Sequence, residues 1–212
     1  LRLAREFRGA KVGSPTFLLR EHSGDRGPAG ARHGIDERDK VFLEGGRQVF
    51  VKLRQRLRLQ DFVPRWEQAK PFGDAETRRA LLQRACAMAR HGLFDEALDD
   101  IEAATAKPLS NRPFTLDERH LCSRMMDMDP MLLEGGAPFL RKATQILRQR
   151  APSLFTASVA GFRWSISREY RNRRHRTAAT MTAKLIQAIG VRGCISLAAG
   201  MRDQTDASPV AR

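Results

Sequence analysis

Long hydrophobic runs are missing from this 212-residue chain. The longest candidate, from Thr182 to Gly200, is broken by Lys184 and Arg192, so no transmembrane span is expected. Cysteine is scarce. Cys86, Cys122 and Cys194 are widely spaced and odd in number, which argues against a disulfide-stapled secreted scaffold and for a reducing compartment. Metal-ligand spacing is absent too: His120 and Cys122 have no partner pair, and neither do Cys86 and His91, so no metal site and no cofactor are expected. No Walker loop, dinucleotide fingerprint or nucleophile elbow is present. Asp99, Asp100 and Glu102 cluster without an obvious second acid across a cleft, and they read as an exposed helix face rather than as acid–base machinery. These absences leave a non-catalytic role as the expectation.

Acidic residues are also in deficit, at 24 Asp+Glu against 38 Lys+Arg, for a formal net charge of +14. Such a field favours polyanions, whether nucleic acid, acidic protein surfaces or anionic headgroups, and says nothing about fold. A hydrophobic fraction of 42% nevertheless places most of the chain with globular proteins rather than disordered basic tails.

The basic residues concentrate at one stretch, Phe162 to Arg176. Here Arg163, Arg168, Arg171, Arg173, Arg174 and Arg176 crowd around Trp164 and Tyr170. Guanidinium forks suit phosphate oxygens and aromatic faces stack on bases, so RNA is the first partner to consider. The plainer reading is a solvated helix end whose arginines complement the negative pole of the macrodipole. A second basic segment, Arg47 to Gln60, sets Phe50, Leu53 and Leu57 at helical spacing with Arg47, Lys52, Arg54, Arg56 and Arg58 around them. It could lie on RNA phosphates or on a membrane surface, or simply be a charged surface helix. From it Arg47, Arg54 and Arg58 join the candidate RNA-contacting set.

Taken in order, residues 1–39 are rich in Gly, Pro and Arg and read as a basic extended arm, with Phe17-Leu18-Leu19 as its anchor and with order expected only on a partner. The chain starts at Leu1 rather than Met, which fits an Arg-rich presequence removed on organelle import. Residues 40–190 form the helical domain, with Pro64 and Pro71-Phe72-Gly73 closing its first segment. Asp74 is expected to cap a helix through Leu81, Leu82, Ala85, Met88 and Ala89, stopped by Gly92. A second helix carries Ala97, Leu98, Ile101 and Ala104 and ends before Pro108, so the two bury each other as a hairpin.

Beyond Pro113, Thr115 to Glu118 has the form of a capping box, opening a helix through Leu121, Met125 and Met128 that stops at Pro130. Leu133-Glu134-Gly135-Gly136 repeats Leu43-Glu44-Gly45-Gly46. Both glycine pairs read as turns before helices, or as phosphate-holding helix starts. Pro138 suits the first turn of the helix that follows. Ser153 is expected to cap the longest pattern, Phe155, Val159, Phe162, Ile166 and Tyr170, and a last helix runs through Met181 and Leu185 to Gly190. Residues 191–212 read as a short C-terminal tail, polar from Arg202 onward.

Gly92-Leu93-Phe94-Asp95-Glu96-Ala97, with Ala104 and Pro108 following, resembles the second half of a tetratricopeptide repeat, and Leu81, Ala85 and Met88 fall where its first helix has large, small and aromatic positions. The resemblance covers residues 78–108, with Pro108 one residue early and no second unit at that period. The pentatricopeptide repeats share this hairpin and bind RNA. What the resemblance implies is a helix hairpin of solenoid type, and no function follows from it.

The expected architecture is all-α, a helical bundle or short solenoid-like array of about seven helices with a basic arm and a short tail. The expected function is a non-catalytic, RNA-contacting structural subunit of a large ribonucleoprotein, foremost an organellar (mitochondrial) ribosome in the matrix. Its partners would be rRNA and neighbouring protein subunits. The alternative is an accessory scaffold subunit of a membrane-bound respiratory or translocation complex, with peripheral membrane contact.

Overall fold

The structure, a computed structural model, describes residues 35–63, 72–127 and 130–205, without the side chains of 35–39, 133–134 and 192–205. Phe17-Leu18-Leu19, Pro64, Pro71 and Met128 lie outside the described residues. Among those described there are seven α-helices and no strand, as the periodicity predicts. The helices are α1 (Ile35–Arg56), α2 (Asp74–Arg90), α3 (Phe94–Thr105), α4 (Leu116–Met125), α5 (Leu133–Arg150), α6 (Pro152–Arg171) and α7 (His175–Thr205).

The α2–α3 hairpin is the most extensive helix pairing. Ala85, Met88, Ala97, Ile101 and Ala104 are all fully buried, so small residues let the helices approach while the larger ones fill the sides. Its turn is a Schellman motif: Leu93 N–H donates to the Met88 carbonyl at 3.0 Å and Gly92 N–H to Ala89 at 3.1 Å. Gly92 takes the left-handed position at φ +72°, where a Cβ would be strained. The helix nevertheless starts one residue earlier than expected, since Gly73 is the N-cap and Asp74 the first helical residue.

The Thr115 capping box forms as predicted. Thr115 Oγ1 accepts from Glu118 N–H at 3.2 Å, and Glu118 Oε2 accepts from Thr115 N–H at 2.7 Å. From there α4 packs chiefly on α6, while α5 spans α3, α6 and α7. The α4–α6 crossing is close. A Cβ on Gly161 would stand 2.6 Å from the carbonyl carbon and 2.8 Å from Cα of Ser123, and closer still to the carbonyl oxygen.

Five expectations need correction. Gly45-Gly46 is neither a turn nor a helix start, because α1 runs through it; Gly46 lies against the His91 ring, 2.6 Å from where its Cβ would be, and Phe50 stacks on that ring at 4.0 Å between centroids. Helix α5 likewise begins at Leu133, taking Gly135-Gly136 into its first turn and leaving Pro138 inside it. Ser153 is not a cap: Ala151 holds that position and Pro152 opens α6. The expected C-terminal tail from residue 191 is helical up to Thr205, with Gly190 (φ +77°) interrupting α7 where a stop was expected. The arm boundary also moves, since residues 35–39 already belong to α1.

Candidate nucleic-acid interface

Helix α6 positions the Arg-rich stretch. Its buried face carries Leu154, Ser158, Gly161, Phe162, Ser165 and Glu169, so Tyr170, expected to extend the core stripe, points outward with 64% of its surface exposed. At about 100° per residue, Arg163, Trp164, Ser167, Tyr170 and Arg171 share an arc of about 120° on the opposite side. All five are exposed. Trp164 is 56% exposed, and the Arg171 guanidinium lies over its ring at 4.6 Å from the centroid. Tyr170 meets His175 edge-on, at 4.9 Å between centroids.

The helix ends in a second Schellman motif, with Arg174 N–H donating to Glu169 and Arg173 N–H to Tyr170, each at 3.0 Å. The position that Gly92 fills in the first motif is here Arg173, at φ +60°. A residue with a Cβ in this conformation is held at a strain of about 1–2 kcal/mol. Arg173 and, in the first turn of α7, Arg176 are exposed, so the junction projects basic side chains and Arg173 does so from strained backbone.

The other predicted arginines divide. Arg168 turns inward, its NH1 donating to Asp127 Oδ1 at 2.9 Å, an oxygen that Ser165 Oγ also reaches at 2.7 Å. Glu169 is buried between Arg168 and Arg174, with each ion pair at 3.5 Å. Arg54 is a fold-holding residue rather than a surface cation: it donates to Asp100 Oδ2 at 3.1 Å and to the Glu96 carbonyl at 3.3 Å. Asp100 therefore is not on an exposed face. It is 2% exposed and also takes two bonds from Arg84, at 2.8 and 2.7 Å, which raise the Arg84 pKa further. Arg58 stays largely exposed with Asp61 at 3.9 Å. Arg47 is exposed at the mouth of the cleft between α1 and α5. Neither belongs to the α6 surface.

The best-satisfied charge in the fold escaped sequence reasoning altogether. Arg78, 2% exposed, forms a bidentate pair with Glu118 at 2.6 and 2.9 Å. It also donates to the carbonyls of Leu109, Arg112 and Pro113 and stacks on Phe114 at 4.5 Å. All its partners lie on the α3–α4 connection or the start of α4, so this is a structural clamp. The available signal was Glu118 itself, an acid that the capping box fixes at the start of α4.

Nor do Cys86 and Cys122 make a reactive centre. Cys86 and Cys122 are buried free thiols, and burial pushes both thiol pKa values up, opposite to what a nucleophile needs. Among the described residues no group of three or more His, Cys, Asp or Glu could hold a metal ion, and no helix is long and apolar enough to cross a membrane. Comparison of the chain with protein-family models, curated proteins and solved structures finds no match.

Proposed function

We propose that this chain is a non-catalytic, RNA-contacting structural subunit of a large ribonucleoprotein, foremost an organellar (mitochondrial) ribosome, with rRNA and neighbouring subunits as partners. The observation that carries the reading is the arginine at the left-handed position of the α6 turn, next to two exposed aromatics. Strained backbone persists where something other than stability retains it, and a guanidinium projected there can reach a phosphate. Trp164 under Arg171 and the outward Tyr170 supply flat faces for unpaired bases. The kinship of the α2–α3 hairpin with tetratricopeptide or pentatricopeptide repeats belongs to the same proposal and bears on architecture alone.

The test is salt-dependent binding to single-stranded RNA, comparing the wild type with an Arg171→Gln/Arg173→Gln/Arg176→Gln variant. Arg174 is left in place because it pairs with buried Glu169. Each lost phosphate contact should flatten the log–log salt slope by roughly 0.7. A variant with wild-type affinity and slope would sink the assignment.

One observation favours the second reading, an accessory scaffold subunit of a membrane-bound complex. Helix α1 has two apolar sides: Phe50 packs inward, while Val41, Phe42 and Val49 are 42%, 72% and 46% exposed beside Lys52. A helix apolar on both sides expects a further partner. Flotation with anionic vesicles that Phe42→Ser abolishes, in a chain that ignores RNA, would favour this reading over the first.

A further inference from the structure

We propose that the groove between α6 and α7 is a pocket for one unstacked base of single-stranded RNA; this rests on the RNA reading above and assigns it a mode of recognition. The groove is shallow and open to solvent, with a volume of about 450 Å³. Ile166 and buried Ala178 form its floor, Tyr170 and His175 one wall, and Arg171 stands at its edge. Ala179, exposed at the rim, is small enough to leave the groove open.

Three features select the occupant. The floor is apolar and Tyr170 presents an exposed ring, so the ligand has a flat apolar body that can stack. No carboxylate lines the groove and Arg171 does, with Arg173 and Arg176 exposed on the α6–α7 junction that leads to it, so the ligand is anionic next to that body. A nucleotide combines the two. A duplex buries its base faces within its own stack, so the base that enters must be unpaired. The hydroxyls of Ser167 and Thr182 stand at the rim. Thr182 Oγ1 donates to the Ala178 carbonyl at 2.8 Å, which leaves its lone pairs free to accept from a base edge.

Arg171 lines this groove and also covers Trp164. A phosphate held by Arg171 would therefore sit between two flat surfaces, with one base in the groove and its neighbour on the Trp164–Arg171 stack.

The experiment uses the full chain and three ligands of about 12 nucleotides: a single-stranded RNA, the same sequence as a duplex, and an abasic strand with equal phosphates. Wild type should bind the single strand about tenfold more tightly than the abasic strand. Ala179→Phe fills the groove from an exposed helical position without removing a charge. It should erase that preference while keeping the salt slope, with unchanged circular dichroism showing that the fold survives. Tyr170→Ala should reduce the preference in the same direction. If RNA binds but abasic strand, duplex and A179F behave like wild type on single strand, the groove assignment falls and the phosphate-contacting surface stands. If no RNA binds even at low salt, the RNA reading falls and takes the groove with it. Displacement by an acidic aromatic peptide, with RNA ignored, would likewise overturn it in favour of a protein partner.

Discussion

Replacing Arg173 with Gly should make this protein more stable and a poorer RNA binder. The same Schellman hydrogen bonds close α2 and α6, yet the left-handed position is Gly92 in the first and Arg173 in the second. An L-residue there costs roughly 1–2 kcal/mol. Glycine removes that penalty and returns about 0.5–1 kcal/mol through the greater freedom of its unfolded chain. The net gain for R173G is about 0.5–1 kcal/mol, which for a chain of this size raises Tm by about 1–4 °C. Urea denaturation checks the first half, with the midpoint moving up at constant slope. Salt-titrated RNA binding checks the second, with the slope falling by roughly 0.7 for one lost contact. Because the variant is the more stable protein, weaker binding could not be ascribed to unfolding. Equal or lower stability of R173G would refute the left-handed strain; unchanged RNA binding would refute the reason given for keeping it.

Gly161→Ala should destabilise by about 3 kcal/mol, the upper end for overpacking, because the added carbon meets the Ser123 backbone rather than a movable side chain; a Tm within about 2 °C of wild type would contradict the close α4–α6 crossing. Glu118→Gln keeps the shape of the Arg78 clamp but leaves a buried guanidinium without its charge partner, and should cost about 3–5 kcal/mol in chemical denaturation; a near-neutral effect would mean that the neighbouring carbonyls suffice. For His91, burial first and then the Arg90 charge push the pKa below its ordinary 6.5. The unfolded chain therefore binds the extra proton first, and stability should be full above about pH 6.5 and fall as pH drops toward the lowered folded pKa. His91→Phe, which keeps a ring against Phe50, should remove that loss of stability below about pH 6.5; parallel pH profiles would count against it.

Much of the fold was legible because its signals are local. Gly92, the Thr115–Glu118 box and the small residues Ala97 and Ala104 each act within a turn or two of helix, and each forms as the sequence indicates. Two features were hidden for physical reasons. Part of the buried side of α6 is made by Ser158, Gly161 and Ser165, beside Leu154, Val159 and Phe162, because a close crossing needs small residues; a hydrophobic pattern cannot register them and so drifted outward to Tyr170. The continuation of α1 through Gly45-Gly46 opposes a helix propensity of about 1 kcal/mol per glycine, and it makes sense only once the His91 ring is known to occupy the space beside Gly46. The arginine stretch was visible as a location, but its internal division was not. Asp127 is 41 positions from Arg168, and Asp100 is 46 from Arg54, too far for any local rule to pair them.

That division bears on where the field of the protein acts. Asp100, Glu118 and Glu169 are buried and already matched to arginines, and half-buried Asp127 is matched to Arg168. These acids hold the fold together, and because each is already neutralised by a paired arginine they oppose the charge of the exposed arc only weakly. Within the arc and the turn that follows, residues 163–176 contain six arginines and one acid, and that acid, Glu169, faces inward. A fold-wide excess of +14 would by itself promote loose association with any polyanion. The placement of the acids gives it direction, because the helix that buries Glu169 presents Arg163, Trp164, Tyr170 and Arg171 on its other side. Moving one acid onto that arc tests the point without touching an arginine or an aromatic. Ser167→Glu should leave stability within about 0.5 kcal/mol, as an exposed substitution. It should weaken RNA binding severalfold at low salt, with the difference shrinking as salt screens the new charge. A Ser167→Glu chain that binds RNA like wild type at low salt would show that the contacts are made elsewhere.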